Sequence, residues 1–98
     1  MITRIVKMTF QTDKIAEFQR LFESQHTKIK SFKGCQNVVL YQDIHDHSVF
    51  FTYSHWDNEE ALEAYRHSEL FKSIWKATKV LFRERAAAWS LNEIKVAE

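Results

Sequence analysis

The sequence predicts an α+β fold in the order β-α-β-β-α-β. Three observations carry this reading: a β-branched, alternating run at the N-terminus, two long stretches of helical spacing, and a polar turn between two apolar runs. Residues 2–10 (ITRIVKMTF) form the first strand. Thr12 is placed to cap a helix from about Asp13 to Lys30. In that helix Ile15, Phe18, Phe22, Gln25 and Ile29 recur at helical spacing, and Leu21 widens the stripe. Gly34, the only glycine, supplies the stop, because it alone takes a left-handed conformation without penalty.

Residues 36–42 (QNVVLYQ) and 48–56 (SVFFTYSHW) read as a strand pair joined by the polar turn 43–47 (DIHDH). Asp57 then starts a helix as its cap, with Glu60 three residues later as reciprocal partner. The helical pattern runs from Glu59 to Arg85, acidic early and basic late, as the macrodipole prefers. A break fits at His67-Ser68, since Ser68 is a competent cap for a second helix. Residues 85–95 (RAAAWSLNEIK) close the chain as the last strand. The order is that of the split βαβ, ferredoxin-like arrangement: a four-stranded antiparallel sheet with helices on one face.

Composition narrows the function classes. The 98 residues suffice for a single domain, residues 1–98, burying roughly 65% of the unfolded surface. One glycine and no proline exclude a Gly-rich phosphate loop or dinucleotide fingerprint. Lys and Arg number 14 against 13 Asp and Glu, spread over both halves, so there is no broad nucleic-acid footprint. An RNA-recognition module shares the element order, yet SVFFTYSHW lacks the glycine and basic residue of its signature. Cys35 stands alone, which excludes an internal disulfide and a Cys-rich zinc site. No apolar run approaches a membrane span and no signal-peptide core is present, so a soluble, cytoplasmic protein is expected.

Both faces of the central strands are apolar. In the third strand Val49, Phe51, Tyr53 and His55 alternate with Phe50, Thr52, Ser54 and Trp56, and neither row suits water. Such a sheet needs two covers, and in so short a chain the second is a further copy of itself. A homodimer is therefore expected; a curled, bulged sheet that mixes its faces is the alternative.

The run 53–71, YSHWDNEEALEAYRHSELF, resembles the antibiotic biosynthesis monooxygenase family. The matching features are a strand ending in Trp56, an acidic helix start, Ala61-Leu62, a ring at Tyr65, Ser68 and Phe71. The resemblance extends over essentially the whole chain by length and element order. It implies a dimeric α/β barrel, with a cleft between helices and sheet in each protomer. It also implies cofactor-independent oxygenation of a small aromatic, phenolic or quinol-type substrate, with no metal and no other cofactor. Two departures stand out. Where many quinol-type relatives carry histidines, this chain has Tyr65 and Leu70. Where haem degraders carry an asparagine in the first strand, a tryptophan and a histidine, this chain has no first-strand asparagine, Tyr65 and Trp75. Haem degradation is disfavoured accordingly.

The candidate catalytic residues are His67 and Tyr65. On a continuous helix His67 shares the apolar face with Phe71, Ile74 and Thr78, where a neutral imidazole could accept a phenolic proton. Its structural alternative is a helix-junction histidine that bonds a nearby carbonyl. Tyr53, His55, Trp56, Phe71 and Trp75 are the candidate substrate-binding residues, Tyr53 and Tyr65 offering hydroxyls from an apolar wall. His55 shares its row with Tyr53 and Phe51, so it lines either the cleft or the dimer interface. Tyrosine rims, a Trp56 staple and a core stripe through Trp75 are the packing alternatives. His45-Asp46-His47 has the look of a metal clip but lacks a third ligand, so it reads as a solvated turn. Cys35 reads as a small buried hydrophobe. The rival function is a non-catalytic dimeric module that binds a small molecule.

Overall fold

Alternation along β1 (Ile2–Phe10) organises the molecule, a computed structural model that describes residues 1–97. β1 pairs antiparallel with β3 (Val49–Trp56) on one side and β4 (Phe82–Asn92) on the other, and β2 (Cys35–Gln42) pairs with β3. The sheet is open, with strand order β2-β3-β1-β4. Side chains alternate between faces, so Ile2, Arg4, Val6, Met8 and Phe10 point together toward α1 (Ile15–Lys30), α2 (Glu59–Arg66) and α3 (Glu69–Lys79). Their register partners on β3 are Trp56, Ser54, Thr52 and Phe50 for the first four. This is the ferredoxin-like α+β fold, helices on one face.

The core beneath the helices has two centres. Met8, Phe10, Phe18, Phe50 and Leu81 pack at one end, with Phe18 stacked on Phe10 at 4.0 Å between ring centroids. Ile29, Val38, Trp56, Leu62 and Tyr65 pack at the other, and Phe22 of α1 touches both. The opposite face of the sheet carries the odd-numbered residues of β1 and β3 with their register partners, and none of the described helices covers it. There Tyr41 is 53% exposed and Trp89 45% exposed, and the Tyr41 and Tyr53 rings meet edge to face.

Several boundaries differ from the sequence expectation, each for a local reason. Thr12 does not cap α1. It opens a 3₁₀ turn, Thr12–Lys14, and α1 starts at Ile15 with no side-chain cap. Gly34 does not end α1, which closes at Lys30 where the Ser31 N–H bonds back to Thr27. Gly34 instead takes φ +89° in the turn into β2, its carbonyl accepting the Asp57 N–H at 2.9 Å, and a Cβ there would overlap the Ala61 methyl. Asn58, not Asp57, caps α2: its Oδ1 accepts the Ala61 N–H at 2.8 Å, while Asp57 accepts the Gln36 side-chain amide.

Ser68 does cap α3, accepting the Phe71 N–H at 3.1 Å. The helical pattern stops six residues before Arg85, at Lys79. Leu81 bonds back to Thr78 and then accepts the Gln11 N–H, which turns the chain into the sheet so that Phe82 pairs with Phe10. β4 thus spans Phe82–Asn92, and Lys95 lies beyond it.

The turn 43–47 is a tight loop. Asp43 Oδ1 accepts the N–H groups of His45 and Asp46, which hold its carboxyl below the usual carboxylate range. Among the described residues no cluster of His, Cys, Asp and Glu could hold a metal ion, and no helix is long and apolar enough to cross a membrane.

Candidate functional site

Small residues on β4 open a space that large residues close elsewhere. Ala86 and Ala88 face α3 where the neighbouring strands offer Val6 and Thr52, and a cavity of about 310 Å³ remains between sheet and helices. That size lies at the lower end of small-molecule pockets. Its floor is two cross-strand rows: Val38, Ser54, Arg4, and beside them Thr52, Val6, Ala88. Its walls are Phe22 and Ile29 of α1, Leu62 and Tyr65 of α2, and Phe71, Ile74 and Trp75 of α3.

The wall aromatics form one connected series. Trp56 is 1% exposed and stacks on Tyr65, which meets Phe71 edge to face; Phe71 stacks on Trp75 at 5.9 Å with planes 11° apart. Offset-stacked and edge contacts of this kind hold rings in fixed orientations. A flat apolar ligand would meet a shaped surface here.

Few polar atoms reach the space. Thr78 spends its proton on the Ile74 carbonyl at 2.7 Å. Ser54 Oγ accepts the Trp56 indole N–H at 2.9 Å, which leaves its own proton to donate. Among the described residues Tyr65 makes no side-chain hydrogen bond, and no sealed-off polar atom lacks a partner. Burial pushes the Tyr65 pKa up to about 12, so it stays a protonated donor at neutral pH. Arg4 lines the cavity half-buried, donating from Nη1 to Ser90 Oγ at 2.9 Å. Arg66 lines it too, ion-paired with Glu63 at 2.7 Å.

The structure brings together Trp56, Tyr65, Phe71 and Trp75 of the residues expected at the site, and separates the other three. Tyr53 and His55 lie on the uncovered face of the sheet, where His55 Nδ1 sits 3.2 Å from Thr3 Oγ1. His67 does not share the apolar face with Phe71. The helix breaks at Ser68, and the rotated segment leaves the His67 side chain 78% exposed, 3.4 Å from Glu63. The continuous-helix geometry that placed it in the cleft is therefore corrected. Arg4, Thr52, Ser54 and Arg66 escaped the sequence reading. The signal for Arg4 was present: it occupies a helix-facing position between Ile2 and Val6 in a strand whose other residues of that parity are apolar.

A family model described as antibiotic biosynthesis monooxygenase matches residues 1–77. Comparison with curated proteins finds no match. Among solved structures, one described as an antibiotic biosynthesis monooxygenase superposes with a TM-score of 0.90 at 17% identity, covering 97% of this chain and 100% of the other. Rv0793 from Mycobacterium tuberculosis gives 0.88 at 16% identity over 99% and 98%. A conserved protein from Methanosarcina mazei Go1 gives 0.89 at 20% identity over 96% and 94%. At these identities the likeness speaks for the fold.

Proposed function

The chain belongs to the antibiotic biosynthesis monooxygenase family, and from that membership we propose that its cavity binds a small aromatic phenol or quinol and oxygenates it without a bound cofactor. The observation that carries the reading is the cavity itself: an aromatic-walled space whose few polar groups include the free Tyr65 and Ser54 hydroxyls. Stacking against Trp56, Phe71 and Trp75 suits a flat ring, and the hydroxyls suit its oxygen.

The chemistry balances without an outside reductant. A phenol with a ring hydrogen para to its hydroxyl, plus dioxygen, gives a quinone plus water. One oxygen atom enters the ring, the other leaves as water, and the substrate supplies both the electrons and the hydrogens. The step that the protein must assist is ionisation, since the phenolate is the electron-rich form. Donors from Tyr65 and Ser54 stabilise that anion, and the positive charge of Arg4 lowers the substrate's pKa. Tyr65 acts as donor to the oxyanion, in line with its expected catalytic role. His67 would contribute from outside the cavity only through the field of a distant charge.

The proposed assembly is a homodimer that covers the free sheet face, where Tyr41, Phe51, Tyr53, Trp89 and Leu91 gather. Tyr53 and His55 then serve that interface.

One observation favours a second reading. Among the described residues no carboxylate, imidazole or thiol lines the cavity, so they build no proton acceptor into its wall. A non-catalytic binding module needs none. Oxygen uptake by the purified protein with a panel of naphthols and hydroquinones, chelator present, decides between them. Uptake above the uncatalysed rate supports the oxygenase. Tight binding of the same compounds with no uptake supports the binding module.

A further inference from the structure

An arginine on the floor of an apolar cavity needs a reason. Arg4 has no carboxylate within ion-pair distance among the described residues; its partner is the Ser90 hydroxyl, itself exposed. A guanidinium cannot escape its charge by losing a proton at physiological pH. It therefore stays a partly dehydrated cation with most of its five donors unspent. Arg66 raises the local positive potential from the facing helix, but Glu63 already occupies it at 2.7 Å. Glu63 in turn is shared with His67 at 3.4 Å. The cavity lining thus carries two arginines, of which Arg66 has a carboxylate partner and Arg4 has none among the described residues.

We propose that Arg4 is the receptor for a carboxylate on the ligand, and that the natural ligand is a hydroxylated aromatic acid bound with its rings among Trp56, Tyr65, Phe71 and Trp75. The proposal rests on the cavity's being the ligand site, and adds the charge and chemical class of what enters it.

Geometry supports the pairing. Arg4 is the cross-strand partner of Ser54 on one side and Ser90 on the other, so the strand sets the arginine between a hydroxyl that lines the same cavity and the one its guanidinium donates to. A carboxylate ortho to a phenolic hydroxyl would meet the guanidinium fork and present its hydroxyl to Ser54 and Tyr65. The planar fork matches a carboxylate in a two-bond contact that a single phenolic oxygen cannot make. The Arg4 environment also points this way: burial first, then the Arg66 charge, push its pKa below the usual value, with Glu63 opposing. An incoming anion offsets both penalties.

The test uses a matched pair of probes, a hydroxynaphthoate and its methyl ester, which share a ring system and differ in charge. Affinity is read from quenching of tryptophan fluorescence in a Trp89→Phe background, which leaves the cavity residues Trp56 and Trp75 as the emitters, for the otherwise wild-type chain, Arg4→Gln and Arg66→Gln, at low and high salt. The wild type should prefer the acid by at least about tenfold, as expected of charge-assisted hydrogen bonds at a half-buried site. Arg4→Gln should reduce that preference below about threefold, and Arg66→Gln should reduce it less, because Glu63 already holds Arg66. Unchanged far-ultraviolet circular dichroism of Arg4→Gln shows that the loss is not unfolding. Equal affinity of the wild type for acid and ester overturns the carboxylate proposal and leaves the cavity reading standing. An acid preference that survives Arg4→Gln also overturns it. Failure of the wild type to bind either probe overturns the cavity reading and the proposal with it.

Discussion

The phenol ring of Tyr65 stacks on the indole of Trp56, with centroids 4.9 Å apart and planes inclined by 29°. This contact joins the last turn of α2 to the end of β3. It also fixes where the Tyr65 hydroxyl emerges. Tyr65 is 9% exposed, and among the described residues its oxygen has no hydrogen-bond partner.

Alkaline pH should expose the buried phenol. The unfolded Tyr65 ionises near its ordinary value of 10.0, whereas the folded one holds its proton to about 12. Between those values the unfolded state binds fewer protons, so stability falls as pH rises, and the contribution is fully present below pH 10. The shift is worth about 2–3 kcal/mol at its limit. Urea unfolding of wild type and Tyr65→Phe from pH 8 upward should show a steeper alkaline decline in the wild type. Parallel curves would contradict the burial of the hydroxyl.

Ser54→Ala should destabilise the protein by about 1–3 kcal/mol, because it leaves the Trp56 indole N–H without an acceptor in a side chain that is 1% exposed. The same change removes one donor from the cavity, so phenol affinity should fall with stability. Chemical denaturation and ligand titration of one variant read both effects.

At Gly34 two penalties coincide, a positive φ and a close approach to Ala61. Gly34→Ala should cost at least about 2 kcal/mol, from backbone strain and overpacking together. The double variant with Ala61→Gly should recover the packing part and not the backbone part. A midpoint unchanged in thermal melts of Gly34→Ala would show that the turn has another conformation open to it.

His67→Gln should change turnover by less than about twofold. Its side chain is exposed and its partner Glu63 is a surface carboxylate, a pairing of small energetic weight. Tyr65→Phe should cost about tenfold or more, the range for losing one oxyanion donor in part. Steady-state kinetics of the two variants side by side give the comparison. A larger loss for His67→Gln would return the proton acceptor to the helix junction.

Tyr53→Glu places a charge in the middle of the uncovered sheet face, beside Tyr41 and Phe51. In a dimer built on that face it should shift the mass measured by light scattering from two chains toward one. A monomeric wild type would remove the assembly from the account.

What the sequence made legible follows from which signals are local. Strand alternation in Ile2–Phe10 and the switch to helical spacing after it are local, and the fold followed from them. The cavity was half legible: Tyr65, Phe71 and Trp75 lie on helical spacing, and Trp56 ends a strand. His67 was misplaced because spacing assumes an unbroken helix, and the Ser68 cap rotates everything before it. For Tyr53 and His55 the sequence leaves the face open, because strand parity shows two faces without telling which one the helices cover. Arg4 stands out by parity in an otherwise apolar row of β1, whereas Thr52 and Ser54 become visible only with the register, which sets them in neighbouring rows across β1 and β3.

The most direct test of the central claim is the fate of isotopically labelled dioxygen supplied with a naphthol that the protein binds. One labelled oxygen atom should appear in the quinone product and one in water, with one dioxygen consumed per substrate, and both signals should fall in Tyr65→Phe in proportion to its rate. A quinone whose new oxygen comes from solvent, or a bound naphthol that consumes no dioxygen, would contradict the central claim.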